Sequence, residues 1–387
     1  MPDLDTVFVR WTWCRAALHR GWWLVTSVYL VVDAHLSAAE LVLVGVAQGI
    51  VALVFEVPAG VVADAVSRKW SLVVSHALMG TAMAATSLVT GFWPIVVTQM
   101  VWGLSWTFAS GADVAWITDE LDEPARISTV LLRSGRAQLT GAVVGLLGLG
   151  ALAALTSRRT AMGLAGAAML ALGLYVAVRF RERRFTPGPG RWAILVRGVA
   201  LVRGSRVVLV VFAATFLVNG VAGISGRLYP LRLVDIGLST DPVVWLTVLG
   251  VLTFLAGAAA LRVVQPHVEG VRTVRRGYAI ACGIGAVGVV GLAAAPGAIG
   301  GSVAVLLAAG ALPLTRTFGT IWLNRQASSD VRATVHSLLA QAEYVGGIVC
   351  GLAIATTARS AGLPLALVAC GALLTIAIVL CVRAPRS

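Results

Sequence analysis

Charge is the scarcest commodity in this sequence. Asp, Glu, Lys and Arg make up 12% of the residues while apolar residues make up 58%, and the mean hydropathy is +0.90. An ordinary soluble domain carries about a quarter charged residues. Lysine occurs once, as Lys69. A water-soluble fold of 387 residues cannot hide so much apolar surface, because over half of a soluble exterior is already apolar. The solvent must be a bilayer. Cysteine is also sparse: Cys14, Cys282, Cys350, Cys370 and Cys381 form no CxxC pair and stand in or beside apolar runs. They read as small apolar packing residues, with no metal implied. No G-x-x-x-x-G-K-[ST] loop is present, so this chain alone is not expected to drive transport with ATP. No His/Cys/carboxylate cluster has ligand spacing and no nucleophile motif occurs, so neither enzyme chemistry nor a cofactor is expected.

What is present is a series of apolar runs. A span needs about 20 mostly apolar residues at 1.5 Å rise each. Such runs fall near 12–35, 39–62, 70–91, 94–117, 127–153 and 160–180, then near 207–231, 243–264, 277–296, 299–323, 332–356 and 361–382. The pattern predicts an all-α membrane protein of twelve transmembrane helices in two six-helix bundles, 1–180 and 207–387. The first and seventh runs are the least clean, because Arg15, His19 and Arg20 interrupt one and Arg227 the other. The N-terminal residues lead into a full-length span without a small-residue cleavage site, so they are not read as a cleavable signal.

The connector 181–206 is the one long gap. It opens with Arg181, Arg183 and Arg184, breaks at Pro187-Gly188-Pro189-Gly190, and then reads as a short helix. Trp192, Ile194, Leu195, Val199 and Val202 share its apolar side, which suits the membrane interface and anionic lipid; a plain solvated linker is the other reading. The net charge of +13 would suggest nucleic acid in a soluble protein. Here the basic residues cluster in short connectors and report topology instead, so no nucleic-acid partner is expected. Of the 30 basic residues, Arg158, Arg159, Arg232 and Arg359 fall outside if Met1 is cytoplasmic, and Arg133, Arg136, Arg227 and Arg316 fall within spans, leaving 22 inside. Both termini are therefore expected in the cytoplasm of a bacterial cell, the chain being multi-pass in the inner membrane. Abundant arginine, alanine, glycine and valine also look like the coding bias of a GC-rich genome.

Between the second and third runs stands Gly60-Val61-Val62-Ala63-Asp64-Ala65-Val66-Ser67-Arg68-Lys69, with Leu72 following. This resembles the cytoplasmic loop signature of the major facilitator superfamily, G-x-L-a-D-r-x-G-r-k-x-x-l. Gly60, Ala63, Asp64, Arg68, Lys69 and Leu72 match, Val62 is a mild change, and Ala65 and Ser67 depart from it. The six-plus-six pattern extends the resemblance over essentially the whole chain, implying the major facilitator fold. Gly60 would allow close helix approach, Asp64 would accept from amides at a helix N-terminus, and Arg68 and Lys69 would sit on the lipid surface. The resemblance implies that Asp64 latches the two halves at the start of the eleventh span, near Arg332-Ala333-Thr334; capping of the third helix is the simpler role.

Ionisable groups inside spans cost roughly 2.5–3.5 kcal/mol even on insertion scales, so each needs a partner or a role. Glu56 lies one turn before Gly60, and Asp113 lies late in the fourth run, where Arg133 or Arg136 of the fifth is its expected partner. Asp119, Glu120, Asp122 and Glu123 read as solvated connector residues able to pair with loop basics. Glu343 falls near the middle of the eleventh run, with Gln341, Tyr344 and His336 beside it. A carboxyl at that depth suits proton binding and release, or else a static pair with Arg316 or Arg227. Glu343, Glu56, Asp33 and Asp113 are the proton-coupling candidates.

The resemblance also implies a central cavity lined by the first, fourth, seventh and tenth spans. Its candidate lining residues are Trp23, Tyr29, Gln99, Trp102, Trp106, Asn219, Arg227 and Arg316, with Gln341 and Tyr344 joining from the eleventh. Helical spacing places Gln99, Trp102 and Trp106 on one face, although aromatic residues at span ends also serve as interfacial anchors. Drug:proton antiporters of the superfamily carry an arginine where Gln99 stands, and a G-P pair in the fifth helix. Here that helix offers Gly135, Gly141, Gly145, Gly148 and Gly150 without proline, which suits close packing. The expected function is secondary active transport by alternating access: proton-coupled efflux of an amphipathic small molecule by a monomer among membrane lipids. Uptake of a small metabolite and a non-transporting sensor or accessory protein are the alternatives.

Overall fold

The computed structural model describes residues 4–121, 123–183, 204–264, 271–326 and 332–383; among these there is helix and no strand. The helices are α1 Leu4–Val32, α2 Ala38–Ala65, α3 Arg68–Thr86, α4 Phe92–Ala109, α5 Ala112–Leu121, α6 Pro124–Leu155 and α7 Arg158–Arg179. Then follow α8 Arg206–Asp235, α9 Pro242–Val264, α10 Val271–Ala294, α11 Ala298–Asn324 and α12 Arg332–Arg383. Eight helices among the described residues are long and apolar enough to cross a membrane, with α1, α3, α4 and α5 outside that set. Residues 184–203, and with them most of the expected interfacial helix, lie outside the described residues.

Helix ends are set by local chemistry. Ser67, Ser157 and Ser205 precede α3, α7 and α8 in extended conformation. Their hydroxyl oxygens accept from the amides of Trp70 at 3.0 Å, Thr160 at 3.0 Å and Val208 at 3.3 Å, satisfying donors that a helix start leaves unpaired. Two breaks use the left-handed backbone that only glycine adopts without steric cost. Gly111 (φ 73°) separates α4 from α5, so the expected fourth run is two helices meeting at a turn. Gly362 (φ 84°) divides α12 into arms 332–361 and 363–383, which correspond to the last two apolar runs.

The chain divides into two compact units. One takes Met1–Leu36, Ile50–Pro189 and Thr240–Val251; the other takes Ser37–Gly49, Gly190–Ser239 and Leu252–Ser387. In the first unit α1 packs along α6 and α7, and α3 packs on α4 and α7. A Cβ at Gly145 would collide with the carbonyl oxygen of Ala17, one at Gly141 with that of Trp13, and one at Gly21 with that of Gly145. The expected close-packing role of these glycines is what brings α6 onto α1 backbone to backbone. Gly135 and Gly148 face open space and take no part. In the second unit α8 packs along α12, and α10 lies against α11 and α12. The device recurs there: a Cβ at Gly346 would collide with the Phe216 carbonyl oxygen, and one at Gly220 would lie 2.8 Å from that of Gly346.

An aromatic cluster ties α1, α3 and α5 to the end of α7. Trp116 stacks on Phe180 with centroids 4.0 Å apart, and Trp11 meets the edge of Phe180 at 5.6 Å. Trp11 Nε1 donates to His76 Nε2 at 3.1 Å, and His76 Nδ1 lies 2.7 Å from the Leu72 carbonyl oxygen. A carbonyl can only accept, so His76 carries its proton on Nδ1 and is neutral in this network.

The glycine contacts give a direct check. Gly346→Val is expected to lower stability by about 1–3 kcal/mol through overpacking, seen as a fall in the melting temperature of the detergent-solubilised protein. Gly148→Ala, in open space, should stay within about 0.5 kcal/mol of the parent.

Candidate functional site

The sequence motif folds differently from a loop. Gly60 through Ala65 lie inside α2, the connection is Val66–Ser67 alone, and no atom lies within 4 Å of where a Gly60 Cβ would stand. Asp64 pairs with Arg68 one turn on at 3.7 Å. Arg68 in turn bonds Asp119 and donates to the Ala115 carbonyl oxygen at 3.0 Å. The carboxylate on the N-terminus of α3 is Glu182, not Asp64. Glu182 accepts from the amides of Arg68 at 2.8 Å and Lys69 at 3.2 Å, and from the Ser67 hydroxyl. Its negative charge sits where the helix dipole favours one. Glu120 accepts from the Arg183 amide at 2.7 Å. Asp119 thus pairs with a basic residue of the motif and Glu120 with a backbone amide, while Glu182, inside an arginine-rich connector, carries no mark in the sequence. Asp122 and the side chains at 332–334, the expected latch partner, lie outside the described residues.

The candidate carboxylates of the first unit, Asp113, Asp33 and Glu56, have partners. Asp113 pairs with Arg15 of α1 at 3.3 Å, correcting the expected pairing with Arg133 or Arg136. The reason is the Gly111 turn, which starts a new helix and re-aims Asp113. Asp33 accepts from Arg158 Nε at 2.5 Å and Nη2 at 3.2 Å, and Arg158 Nη1 lies 3.9 Å from Asp241. Glu56 accepts from the Ser110 hydroxyl at 2.6 Å.

In the second unit Arg227 of α8 donates to Gln48 of α2, lying over Gly45, where a Cβ would press on the guanidinium. Gln48 was not singled out in the sequence; it stands in an apolar run with no charge to draw notice. Asn219 donates to the Thr215 carbonyl oxygen of its own helix at 3.3 Å. Glu343 lies 3.9 Å from Arg316 of α11, with side-chain exposures of 20% and 75%. That separation carries charge attraction but no hydrogen bond. Gln341 and Tyr344 flank Glu343 on the first arm of α12, all three half-buried.

Four tryptophans and a histidine of α1 and α4 gather in the first unit. Trp102 stacks near-parallel on His19 (5.5 Å), Trp22 (5.9 Å) and Trp23 (5.4 Å), and meets Trp106 edge-on at 5.7 Å. His19 also meets Trp106 edge-on at 4.9 Å. Arg15 lies 5.3 Å from the Trp106 ring centroid. Among the described residues, His19 Nε2, Trp102 Nε1 and Trp106 Nε1 are buried without a hydrogen-bond partner. Each such group costs about 1–3 kcal/mol. Of the candidate lining residues, Trp23, Trp102 and Trp106 thus come together, and His19 joins them. Gln99 and Tyr29 do not join them. Gln99 is fully buried and donates to Thr86 Oγ1 at 3.1 Å, and Tyr29 is fully buried and donates to the Val89 carbonyl oxygen at 2.8 Å.

The family model described as Major Facilitator Superfamily matches residues 20–351. No curated protein matches the chain significantly. Solved structures do. The nucleoside transporter NupG superposes with a TM-score of 0.79 at 13% identity, covering 98% of this chain and 98% of that one. The D-xylose-proton symporter gives 0.78 at 13% identity, covering 99% and 98%. A bacterial homologue of the human lysosomal transporter Spinster, inward-facing and unoccupied, gives 0.72 at 12% identity, covering 98% and 97%. At such identities the likeness is one of fold.

The two carboxylates near the motif are separable by mutation. Glu182→Ala removes the acceptor of two helix-terminal amides and should cost about 1–2 kcal/mol, read as a lower melting temperature. Asp64→Asn gives up a half-exposed pair with Arg68 and should cost under about 1 kcal/mol.

Proposed function

This chain belongs to the Major Facilitator Superfamily, and from that premise we propose that it is a secondary active transporter exporting an amphipathic small molecule in exchange for protons. It is multi-pass in the membrane, which we assign to the bacterial inner membrane. The twelve spans of this reading are α1, α2, α3, α4 with α5, α6 and α7, then α8, α9, α10, α11 and the two arms of α12. The excess of arginine in the even-numbered connections orients both termini to the cytoplasm. The bundles 1–180 and 207–387, joined by 181–206, are the two bodies that alternate, working as a monomer.

The observation that carries the coupling is the state of Glu343. It lies within the span 332–356, four-fifths buried, and its contact with Arg316 at 3.9 Å is loose. A carboxyl held so loosely can gain and lose a proton at small cost. Asp33 and Asp113 are held by close arginine contacts at 2.5 and 3.3 Å and serve as structural pairs. Amphipathic cargo is supported by the tryptophan-rich cluster of α1 and α4, which offers large apolar faces with few fixed charges. Asp64 acts as the latch of the cytoplasmic side.

Reconstitution into liposomes with an imposed pH gradient tests the proposal. Wild-type protein should show compound-dependent proton movement, and Glu343→Gln should lower gradient-driven flux at least tenfold while exchange without a gradient persists. Asp64→Asn should slow both modes at normal expression. Absence of any coupled proton movement would sink the antiport assignment, and accumulation along inward proton flow would reverse the direction to uptake.

A further inference from the structure

The aromatic cluster of α1 and α4 specifies what it can hold more narrowly than amphipathic cargo. We propose that His19, Trp22, Trp23, Trp102 and Trp106 bind the planar ring system of a neutral or anionic substrate through hydrogen-bond acceptors carried on that ring. This rests on the transport reading above and names the chemistry of its substrate.

Ring geometry comes first. Trp102 presents its face to His19, Trp22 and Trp23 at interplanar angles of 14°, 24° and 28°. Near-parallel rings at these spacings accept another flat ring by offset stacking, whereas a branched aliphatic would lose that complementarity. His19, Trp23 and Trp106 are half-buried, so the cluster has an edge from which a ring can enter.

Polarity comes next. Of the buried polar side-chain atoms without a hydrogen-bond partner among the described residues, His19 Nε2, Trp102 Nε1 and Trp106 Nε1 meet in this one cluster. An indole N–H donates and cannot accept, so two of the three call for acceptors: a ring carbonyl, a ring nitrogen or an acidic oxygen. His19 can give or take according to its tautomer. A sugar or polyol would match the donors but not the stacked faces. A simple hydrocarbon would match the faces and leave the donors unpaired.

Charge decides the sign. Tryptophan faces attract cations, but here Arg15 already holds the Trp106 face, its guanidinium 5.3 Å from the ring centroid. Asp113, the counter-charge to Arg15 at 3.3 Å, belongs to α5 and not to the helices that carry these rings. A cationic ligand would meet Arg15 before any free carboxylate, while an acceptor-rich neutral or anionic ring would be drawn to it.

A matched pair of probes isolates the acceptors. Anthraquinone-2-carboxylate and anthracene-2-carboxylate share ring size and charge and differ in two carbonyl oxygens. Equilibrium binding to the detergent-solubilised protein should favour the quinone at least tenfold. Trp102→Phe and Trp106→Phe keep an aromatic face and remove an N–H; each should weaken quinone binding about five- to tenfold and leave the anthracene unchanged. The cation N-methylacridinium should bind more weakly than the quinone. Equal binding of the matched pair, absence of binding by both, insensitivity to both substitutions, or preference for the cation would each overturn the inference. Melting temperatures confirm that the variants fold. If proton-coupled flux in liposomes stands while the pair is not discriminated, ring recognition alone fails. If the pair is discriminated and no compound moves, the transport reading fails instead.

Discussion

Contact between helix backbones at glycine is the constraint on which both units are built. In lipid the tails are as apolar as leucine, so helices gain little by hiding from solvent and associate through close packing. Gly141 and Gly145 set α6 against Trp13 and Ala17 of α1. Those positions recur every fourth residue, as does Gly21, so one stripe of α1 is committed to α6. The remaining faces of α1 are then fixed in direction. Trp11 bonds His76 and Trp22 donates to the Met83 carbonyl oxygen at 3.3 Å, both on α3, while His19, Trp22 and Trp23 gather on Trp102 of α4. In the second unit Gly346 locks α12 to α8, and the same arm carries Glu343 three residues earlier. The chemistry of each unit is aimed by where two backbones touch.

The same economy of charge seen in composition governs placement. A half-buried charge is tolerated where a partner meets it, and in the first unit partners come from far along the chain: Arg15 with Asp113, Arg158 with Asp33, Arg68 with Asp119. Each pair crosses between elements that the glycine contacts and helix caps have already positioned. Glu182 works similarly, since a carboxylate on the first amides of α3 ties the end of α7 to that helix start.

Much of this was legible in the sequence, and the failures have physical causes. Apolar run lengths located the helices because a bilayer sets a minimum span, and the motif residues marked a real charge network. Glycines of the fifth run were identified as packing residues, but which of them touch a neighbour depends on helix phase: Gly145 does and Gly148 does not. Asp113 finds Arg15 instead of Arg133 or Arg136 because a continuous apolar run is not a continuous helix, and Ser110-Gly111 holds the turn signal. Gln99 and Tyr29 were polar groups on the expected helices, yet polarity alone cannot say whether a side chain finds Thr86 or Val89 within the bundle. His19 was noted only as an interruption of the first run, since a lone histidine beside arginines carries no sign of the tryptophans that tertiary packing brings to it.

The contrast between Asp33 and Glu343 shows how differently arginine can hold two carboxylates. Asp33 shares two hydrogen bonds with one planar guanidinium, and Arg158 has Asp241 within reach as well. Paired arginine–carboxylate bonds are among the strongest polar contacts in proteins, and Asp33 makes two of them with Arg158. Glu343 faces Arg316 across 3.9 Å, and Arg316 is three-quarters exposed. A carboxyl can shuttle protons only if both of its charge states are accessible, and the coupling role proposed for Glu343 rests on that looser hold.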